Sequence, residues 1–140
     1  MGISEDFPLD GARTLYGTTK LASELLIAEY IENFGLPIIF NGCGVLTGPW
    51  QMGKVDQGVV VLWMAKHFFG GKLSYIGFEG KGLQVRDMLH VEDLADLIEM
   101  QLHRPEHFSG ETFNVGGGVE LSSSLLELTE WCEKLSLIHI

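Results

Sequence analysis

A run of apolar residues between Leu15 and Phe34 constrains the fold of this chain more than any other stretch of its sequence. Apolar residues recur there at the three- and four-residue spacing of a helical face: Leu21, Leu25, Ala28 and Ile31. Gly35 follows the run and Pro37 stands two residues later, which is typical of a helix C-terminus. The pattern predicts a helix over residues 15–34.

Tyr16 and Lys20 lie four residues apart near the start of this helix, so their side chains emerge on one face. An ammonium close to a phenol favours the phenolate form, which makes the tyrosine a better base. Such a pair can take a proton from a sugar or alcohol hydroxyl while a hydride leaves the same carbon. The spacing alone is weak evidence, because any amphipathic helix can carry an interfacial tyrosine and a solvated lysine. The hypothesis therefore depends on the surrounding sequence.

The residues around this pair form a more specific pattern. Tyr16-Gly17-Thr18-Thr19-Lys20 is followed directly by Leu21-Ala22-Ser23-Glu24. This sequence resembles the active-site helix of the extended short-chain dehydrogenase/reductases, the NAD-dependent nucleotide-sugar epimerases and dehydratases. The resemblance implies that Tyr16 and Lys20 are catalytic, that both contact NAD, and that the substrate is a nucleotide-diphosphate sugar. It also implies a homodimer through the helix 15–34.

A second stretch, Arg86-Asp87-Met88-Leu89-His90-Val91-Glu92-Asp93, resembles the Arg-Asp-x-x-His-Val-x-Asp signature of the same family. The resemblance implies that Arg86 binds the substrate diphosphate, and a guanidinium fork matches phosphate oxygens bidentately. The alternative is a surface ion pair of Arg86 with Asp87 or Glu79. The resemblance also implies that His90 is a structural residue at the junction of a strand and a helix.

A third stretch begins with residues 37–41, which predict a short buried strand. The turn after this strand ends in Gly48-Pro49, as in the family, where it passes beside the nicotinamide and the sugar. The resemblance therefore implies that Cys43 and Val45 contact the cofactor. Gly42 departs from the family pattern, in which an arginine usually stands at this position. Residues 43–51 and 53–58 look most like the CDP-paratose 2-epimerase branch.

Apolar periodicity and the positions of glycine and proline predict the remaining elements. They are a helix over residues 57–69 with Val60, Met64, Ala65 and Phe68 on one face, a strand over 73–76, a helix over 94–102, and a last helix capped by Ser122, Ser123 or Ser124 that buries Leu125, Leu128, Trp131 and Cys132. Residues 111–118 resemble the family's Phe/Tyr-Asn-Val-Gly strand and turn, and the resemblance implies that this segment, with Gly116, Gly117 and Gly118, is structural. No metal site is predicted, because Pro105 separates His103 from His107 and no third ligand is near.

Composition limits the class of protein. The chain has 140 residues, 46% of them hydrophobic, which suffices for one globular domain with a core. Its formal net charge of −10 argues against a nucleic-acid partner, which requires a basic face. The longest dense apolar run, Val59–Ala65, is shorter than the roughly 20 residues that a membrane span needs. Cys43 and Cys132 form no Cys-x-x-Cys motif, so we expect buried, reduced thiols in a cytoplasmic protein.

The chain contains no Gly-x-Gly-x-x-Gly sequence. Dinucleotide-binding folds usually hold the pyrophosphate with such a turn, between their first strand and helix. We therefore expect an α/β protein with a partial dinucleotide-binding, Rossmann-like fold: residues 1–135 as the C-terminal portion of an epimerase/dehydratase domain, without its N-terminal glycine-rich βαβ unit. Residues 136–140 fit no family pattern. The alternative is a catalytically inactive fragment or an oligomerisation module, and we expect the isolated chain to be inactive.

Overall fold

The computed structural model describes residues 4–11, 14–54 and 57–137, and the chain divides into two compact units. The first unit consists of the chain up to Gly42 together with Ala95–Val115, and the second consists of Cys43–Leu94 together with the chain from Gly116 onward. The elements in chain order are α1 (Leu15–Phe34), β1 (Phe40–Cys43), β2 (Val45–Thr47), α2 (Val59–Phe69), β3 (Val85–His90), α3 (Val91–His103), α4 (Pro105–Phe108), β4 (Thr112–Val115), β5 (Ser122–Ser124) and α5 (Leu125–Leu137), with short 3₁₀ turns at Phe78–Gly80 and Val119–Leu121.

Helix α1 has the predicted bounds, and both of its ends are capped. The hydroxyl of Thr14 accepts a hydrogen bond from the Gly17 N–H, which satisfies one of the unpaired donors of the first turn. Gly35 adopts the left-handed conformation, with φ 60°, and its N–H donates to the Ile31 carbonyl. The covered stripe differs from the one suggested by the sequence, because Leu25 is exposed, as is Ala28. The partly covered positions are Gly17, Leu21, Glu24, Ile27 and Ile31.

In the rest of the first unit, β1 pairs with β4 in a two-stranded sheet. The predicted strand over residues 37–41 was placed too early, since β1 begins at Phe40 and is half-buried rather than buried. Helix α3 is longer than the predicted segment 94–102, and its best covered residue is polar: Gln101 is 3% exposed. Proline at the first position of α4 separates that short helix from α3, as expected from its lack of an N–H donor.

The second unit contains a three-stranded sheet in the order β2-β3-β5. Strands β2 and β3 are parallel, with Val45 opposite Met88, and the chain between them contains α2. Parallel neighbours require such a crossover connection. Strand β5 pairs antiparallel with β3, with Ser123 opposite Arg86. Parallel pairing with a crossover helix confirms the predicted α/β class.

The core of the second unit lies between α2 and α5 and consists of Val60, Trp63, Leu125, Leu128 and Cys132. The predicted face of α2 was partly wrong: Val60 is buried as predicted, but Met64 and Phe68 are exposed and Trp63 is buried instead. The Trp63 indole N–H donates to the hydroxyl of Thr129 on α5, so Trp63 lies on the face of α2 that packs against α5. Trp131 was also predicted to be buried and is half-exposed.

One further prediction about secondary structure fails in the second unit, and another was incomplete. Residues 73–76 form no strand: Leu73 and Tyr75 are half-buried, with the Tyr75 and Trp63 rings stacked at a centroid distance of 6.1 Å, whereas Ile76 is exposed. The serines before α5 cap that helix as predicted, but they also form β5. Helix α5 continues through Leu137, so residues 138–140 of the unmatched tail, like Val55 and Asp56 of the stretch 53–58, lie outside the described residues.

Candidate active site

Tyr16 and Lys20 lie one turn apart at the start of α1, as the sequence predicted. The Lys20 ammonium nitrogen is 5.5 Å from the centroid of the Tyr16 ring. Tyr16 is 66% exposed and Lys20 is exposed, so a substrate can reach both groups. The ammonium lies over the ring rather than in an ion pair with a carboxylate among the described residues. The arrangement keeps a positive charge beside a phenol that faces solvent.

The position of Tyr16 within the helix adds a feature that spacing alone did not reveal. Tyr16 is the second residue of α1, and helical side chains point back toward the N-terminus. The positive end of a helix dipole lies there and attracts negative charge. Two cationic influences, the helix N-terminus and Lys20, therefore act on the same phenol. The helix-starting Thr14 is the signal in the sequence from which this could have been inferred.

Arg86 lies on β3 in the second unit, and its side chain is exposed. Its Nη1 donates to the carbonyl of Val85, over 2.9 Å. None of the ion pairs formed by the described residues includes Arg86, and Glu79 pairs instead with Lys81. The alternative of a surface ion pair with Asp87 or Glu79 is therefore wrong, and the guanidinium presents its remaining donors to solvent.

Cys43 and Val45, the residues predicted to contact the cofactor, stand at the end of β1 and the start of β2. Cys43 was expected to be buried and is exposed, although partial desolvation of its sulfur raises the pKa of the Cys43 thiol. A raised pKa favours the neutral thiol at neutral pH, so the structure gives Cys43 no feature of an activated nucleophile. Val45 is half-buried and pairs with Met88 in the parallel sheet.

His90 has the structural role that the sequence suggested. Its Nδ1 accepts a hydrogen bond from the backbone N–H of Glu92 over 3.3 Å, where β3 passes into α3. An N–H can only donate, so this ring nitrogen is the acceptor and the proton of the neutral imidazole sits on Nε2. The interaction anchors the junction between the strand and the helix and does not mark a general base.

A metal site and a membrane-spanning helix are both absent from the described residues. No group of three or more histidine, cysteine, aspartate or glutamate side chains suited to a metal occurs among the described residues. His103 and His107 instead contact Glu99 and Glu106, respectively. Within the described ranges, no helix is long and apolar enough to cross a membrane.

A cavity of about 310 Å³ in the second unit was not predicted from the sequence. Its walls are mainly apolar, and its polar lining comes from Lys66, Lys72, Ser74 and Gln84. Gln84 is 8% exposed, and its Oε1 has no hydrogen-bond partner among the described residues. A buried acceptor of this kind suits a ligand that carries a hydrogen-bond donor. These residues come from α2 and from the segment between α2 and β3, so no local motif could have indicated the cavity.

The fold and the site define an α/β protein with a crossover-connected parallel strand pair and a solvent-facing tyrosine-lysine pair at a helix N-terminus. Residues 2–116 match the NAD dependent epimerase/dehydratase family. This match covers most of the chain, which therefore belongs to that family. The cofactor of the family is NAD.

The curated relatives agree with this assignment. The chain is 33% identical over 134 residues to CDP-paratose 2-epimerase from Salmonella typhi, and this alignment covers 94% of the chain and 39% of the relative. It is 33% identical over 105 residues to dTDP-glucose 4,6-dehydratase from Xanthomonas campestris, covering 75% of the chain and 28% of that relative. The chain thus spans less than half the length of these relatives.

Solved structures show the same fold. A UDP-glucuronic acid 4-epimerase from Bacillus cereus, in complex with UDP-glucuronic acid and NAD, superposes with a TM-score of 0.82 at 27% identity, over 97% of this chain and 40% of that chain. A dTDP-glucose 4,6-dehydratase from Bacillus anthracis, in complex with NAD, gives a TM-score of 0.79 at 28% identity, over 95% and 39% respectively. These comparisons confirm the family and the partial Rossmann-like fold suggested by the sequence motifs.

Proposed function

We propose that this chain carries the proton-transfer pair and the diphosphate-binding arginine of an NAD-dependent nucleotide-sugar epimerase or dehydratase. The observation that carries the proposal is the geometry of Tyr16 and Lys20. Both side chains are exposed on one face of α1, and the ammonium lies 5.5 Å from the ring centroid. The relatives catalyse different reactions on nucleotide sugars, so the proposal extends to the substrate class and not to one sugar.

Tyr16 acts as the base in this proposal. Its phenolate oxygen takes the proton of a sugar hydroxyl while a hydride leaves the same carbon. Tyr16 gives a proton back to the sugar oxygen when the hydride returns to that carbon. The Lys20 ammonium and the N-terminus of α1 both place positive charge beside the Tyr16 ring. Both groups face solvent before substrate binds, so a bound sugar would have to displace water to make the hydrogen bond.

The residues at this site fit one end of NAD. When bound, the cofactor supplies the acceptor for the hydride. In the first unit, the Lys20 ammonium and the Tyr16 hydroxyl can hydrogen-bond a ribose diol. In the second unit, Cys43 and Val45 carry small neutral side chains of a kind that suits a nicotinamide ring. The chain contains no Gly-x-Gly-x-x-Gly turn, so these residues hold the nicotinamide ribose and not the pyrophosphate.

The substrate side of the proposal rests on the second unit. Arg86 is exposed and in no ion pair among the described residues, which leaves its fork available for a diphosphate. Lys66 and Lys72 line the cavity that also contains the unpaired Oε1 of Gln84. These cations supply the local positive charge that an anionic substrate requires in a chain with a net charge of −10.

The test is a chimaera in which this chain replaces the stretch of Salmonella typhi CDP-paratose 2-epimerase that it matches. Turnover of CDP-paratose is measured by chromatography for the chimaera and for its Tyr16→Phe variant. We expect Tyr16→Phe to lower kcat by roughly 10²–10⁴-fold, because the ring still packs while no oxygen remains to accept the proton. Near-normal turnover of this variant would refute the proposed role of Tyr16.

Two matched controls separate catalysis from packing. Tyr30 lies on the same helix and is also exposed, so Tyr30→Phe removes a hydroxyl from α1 without touching the pair. Arg86→Ala is expected to raise KM more than it lowers kcat, and Arg104→Ala, at the start of α4, serves as its control. A chimaera that binds NAD and CDP-paratose without turnover would favour the alternative of an inactive fragment.

A second proposal concerns self-association through α1. Leu26, Tyr30 and Phe34 follow one another at four-residue spacing and are 62%, 52% and 68% exposed. The rings of Tyr30 and Phe34 touch, with centroids 5.3 Å apart. This stripe supports a homodimer in which α1 packs against its counterpart in a second copy, because contiguous exposed apolar surface commonly marks an interface.

A further inference from the structure

The side-chain amides of Asn41 and Gln101 form a closed pair in the first unit. Nδ2 of Asn41 donates to Oε1 of Gln101 over 2.8 Å, and Nε2 of Gln101 donates to Oδ1 of Asn41 over 3.0 Å. Gln101 is 3% exposed, and Asn41 is half-buried. Each amide therefore supplies both the donor and the acceptor that its partner needs in a place where water has little access.

The pair joins two elements that are sixty residues apart in sequence. Asn41 is the second residue of β1, and Gln101 lies in the last turn of α3. In the part of the chain that the structure describes, β1 pairs with β4 alone, and β1 is four residues long. Short two-stranded pairings specify their register weakly, so another interaction must select one.

A shift of β1 along α3 would break the pair without replacement. A shift by one residue turns the strand over and brings Phe40 or Gly42 toward Gln101, and a shift by two brings Ile39 or Cys43. None of these residues carries a side chain that both donates and accepts as an amide does. The buried amide of Gln101 would then be unpaired, which is costly. Buried polar side chains select register in the same way in coiled coils.

We propose that Asn41 and Gln101 are positioning residues that hold β1 against α3 in a single register. The consequence concerns Cys43, which ends β1 and is two residues after Asn41. With a single register, Cys43 has a single orientation, in which it is exposed to solvent as in the structure, and β1 ends at a single position. That Cys43 and Val45 contact a cofactor rests on the proposed function, whereas the single register does not.

The experiment compares four variants of the whole chain: Asn41→Val, Gln101→Leu, the double variant, and the exchanged pair Asn41→Gln with Gln101→Asn. Two quantities are measured without NAD or substrate, so that their outcome is independent of the proposed function. One is the urea midpoint of unfolding. The other is the rate of Cys43 alkylation by iodoacetamide, followed by peptide mass spectrometry. Cys132 is buried and serves as the internal control for unfolding.

We expect each single variant to lower the midpoint, since each removes both hydrogen bonds between the amides, and Asn41→Val leaves the buried Gln101 amide unpaired. The double variant should have a higher midpoint than Asn41→Val, because the buried amide of Gln101 is no longer present. Its Cys43 alkylation should nevertheless change in rate or acquire a second phase, as β1 occupies more than one register. The exchanged pair should restore the single phase of the wild type. A double variant with wild-type alkylation kinetics at Cys43, or single variants with an unchanged midpoint, would overturn the proposal.

Discussion

The start of α5 offers the sharpest test of how this structure is stabilised. Ser124 and Glu127 form a capping box of three hydrogen bonds. The Ser124 hydroxyl accepts from the Glu127 N–H over 3.2 Å and donates to Oε2 of Glu127 over 2.7 Å, and the same carboxylate accepts from the Ser124 N–H over 2.8 Å. We predict that Ser124→Ala destabilises the second unit, because the next residue, Leu125, belongs to its core.

The size of the effect follows from what the substitution removes. Replacing a serine cap by alanine costs about 0.5–2 kcal/mol, typically about 1. Ser124 is only 7% exposed, so water cannot readily replace its hydroxyl at the Glu127 N–H. The free energy of unfolding should therefore fall by an amount in the upper half of that range, about 1–2 kcal/mol.

The same motif makes stability depend on pH. The hydroxyl of Ser124, and then its backbone N–H, hold the pKa of the Glu127 carboxyl below its usual value. A carboxyl with a lowered folded-state pKa contributes stability that is present above its unfolded pKa and lost as the pH falls through the folded pKa. The stability difference between wild type and Glu127→Gln should therefore be largest near neutral pH and shrink on acidification below the usual range of a glutamate.

The assay is urea unfolding followed by far-ultraviolet circular dichroism, with amide hydrogen exchange to locate the change in α5. Ser123→Ala is the matched control, since Ser123 is equally buried in β5 but its hydroxyl bonds only the Ser124 carbonyl. Equal losses for Ser123→Ala and Ser124→Ala would show that the buried serines matter through packing and not through the cap. A Glu127→Gln difference that grows in acid would contradict the assigned sign.

Three further predictions concern the catalytic pair, the dimer and the core. In the chimaera, Lys20→Ala should slow turnover, because the positive charge beside the Tyr16 ring is lost; turnover equal to that of the wild type would remove Lys20 from the mechanism. Leu26→Lys should shift sedimentation of the chain toward a monomer while Glu32→Lys on the same helix does not, and a wild-type monomer at high concentration would refute the interface. Leu128→Ala should cost roughly 2–5 kcal/mol in urea unfolding, against within about 0.5 for the more exposed Leu126→Ala, and equal losses would contradict the assigned core.

Local features of the fold could be predicted from the sequence where neighbouring residues determine them. Helix α1 has the predicted bounds because Thr14 and Gly35 cap it. The junction of a strand and a helix at His90 follows from one continuous signature, and the Glu92 N–H that His90 accepts from is two residues away. In each case the relevant interactions lie within a few residues of one another, so spacing carries the information.

Features that depend on partners distant in sequence could not be predicted. The inward face of α2 depends on the Trp63 hydrogen bond to Thr129, sixty-six residues away. Residues 73–76 have the composition of a strand, yet Tyr75 is held by its ring contact with Trp63 and by the hydroxyl of Thr129. That hydroxyl has a single hydrogen, which it gives to the Leu125 carbonyl, so Tyr75 donates to it. Periodicity does not report such a network.

For function, too, the positions of individual charges matter more than the total charge of the chain. A net charge of −10 argues against binding an anion only if the charges act together, but exposed charges are screened beyond roughly 8–10 Å in physiological salt. What a diphosphate encounters is the local set of cations. Among its described residues, the second unit provides Arg86, which is in no ion pair, and a cavity lined by Lys66 and Lys72. The acidity of the whole chain therefore argues against a polyanion that covers a broad surface, such as nucleic acid, but not against a ligand that carries two phosphates. Sequence composition alone cannot make this distinction, because it depends on where the few cations lie.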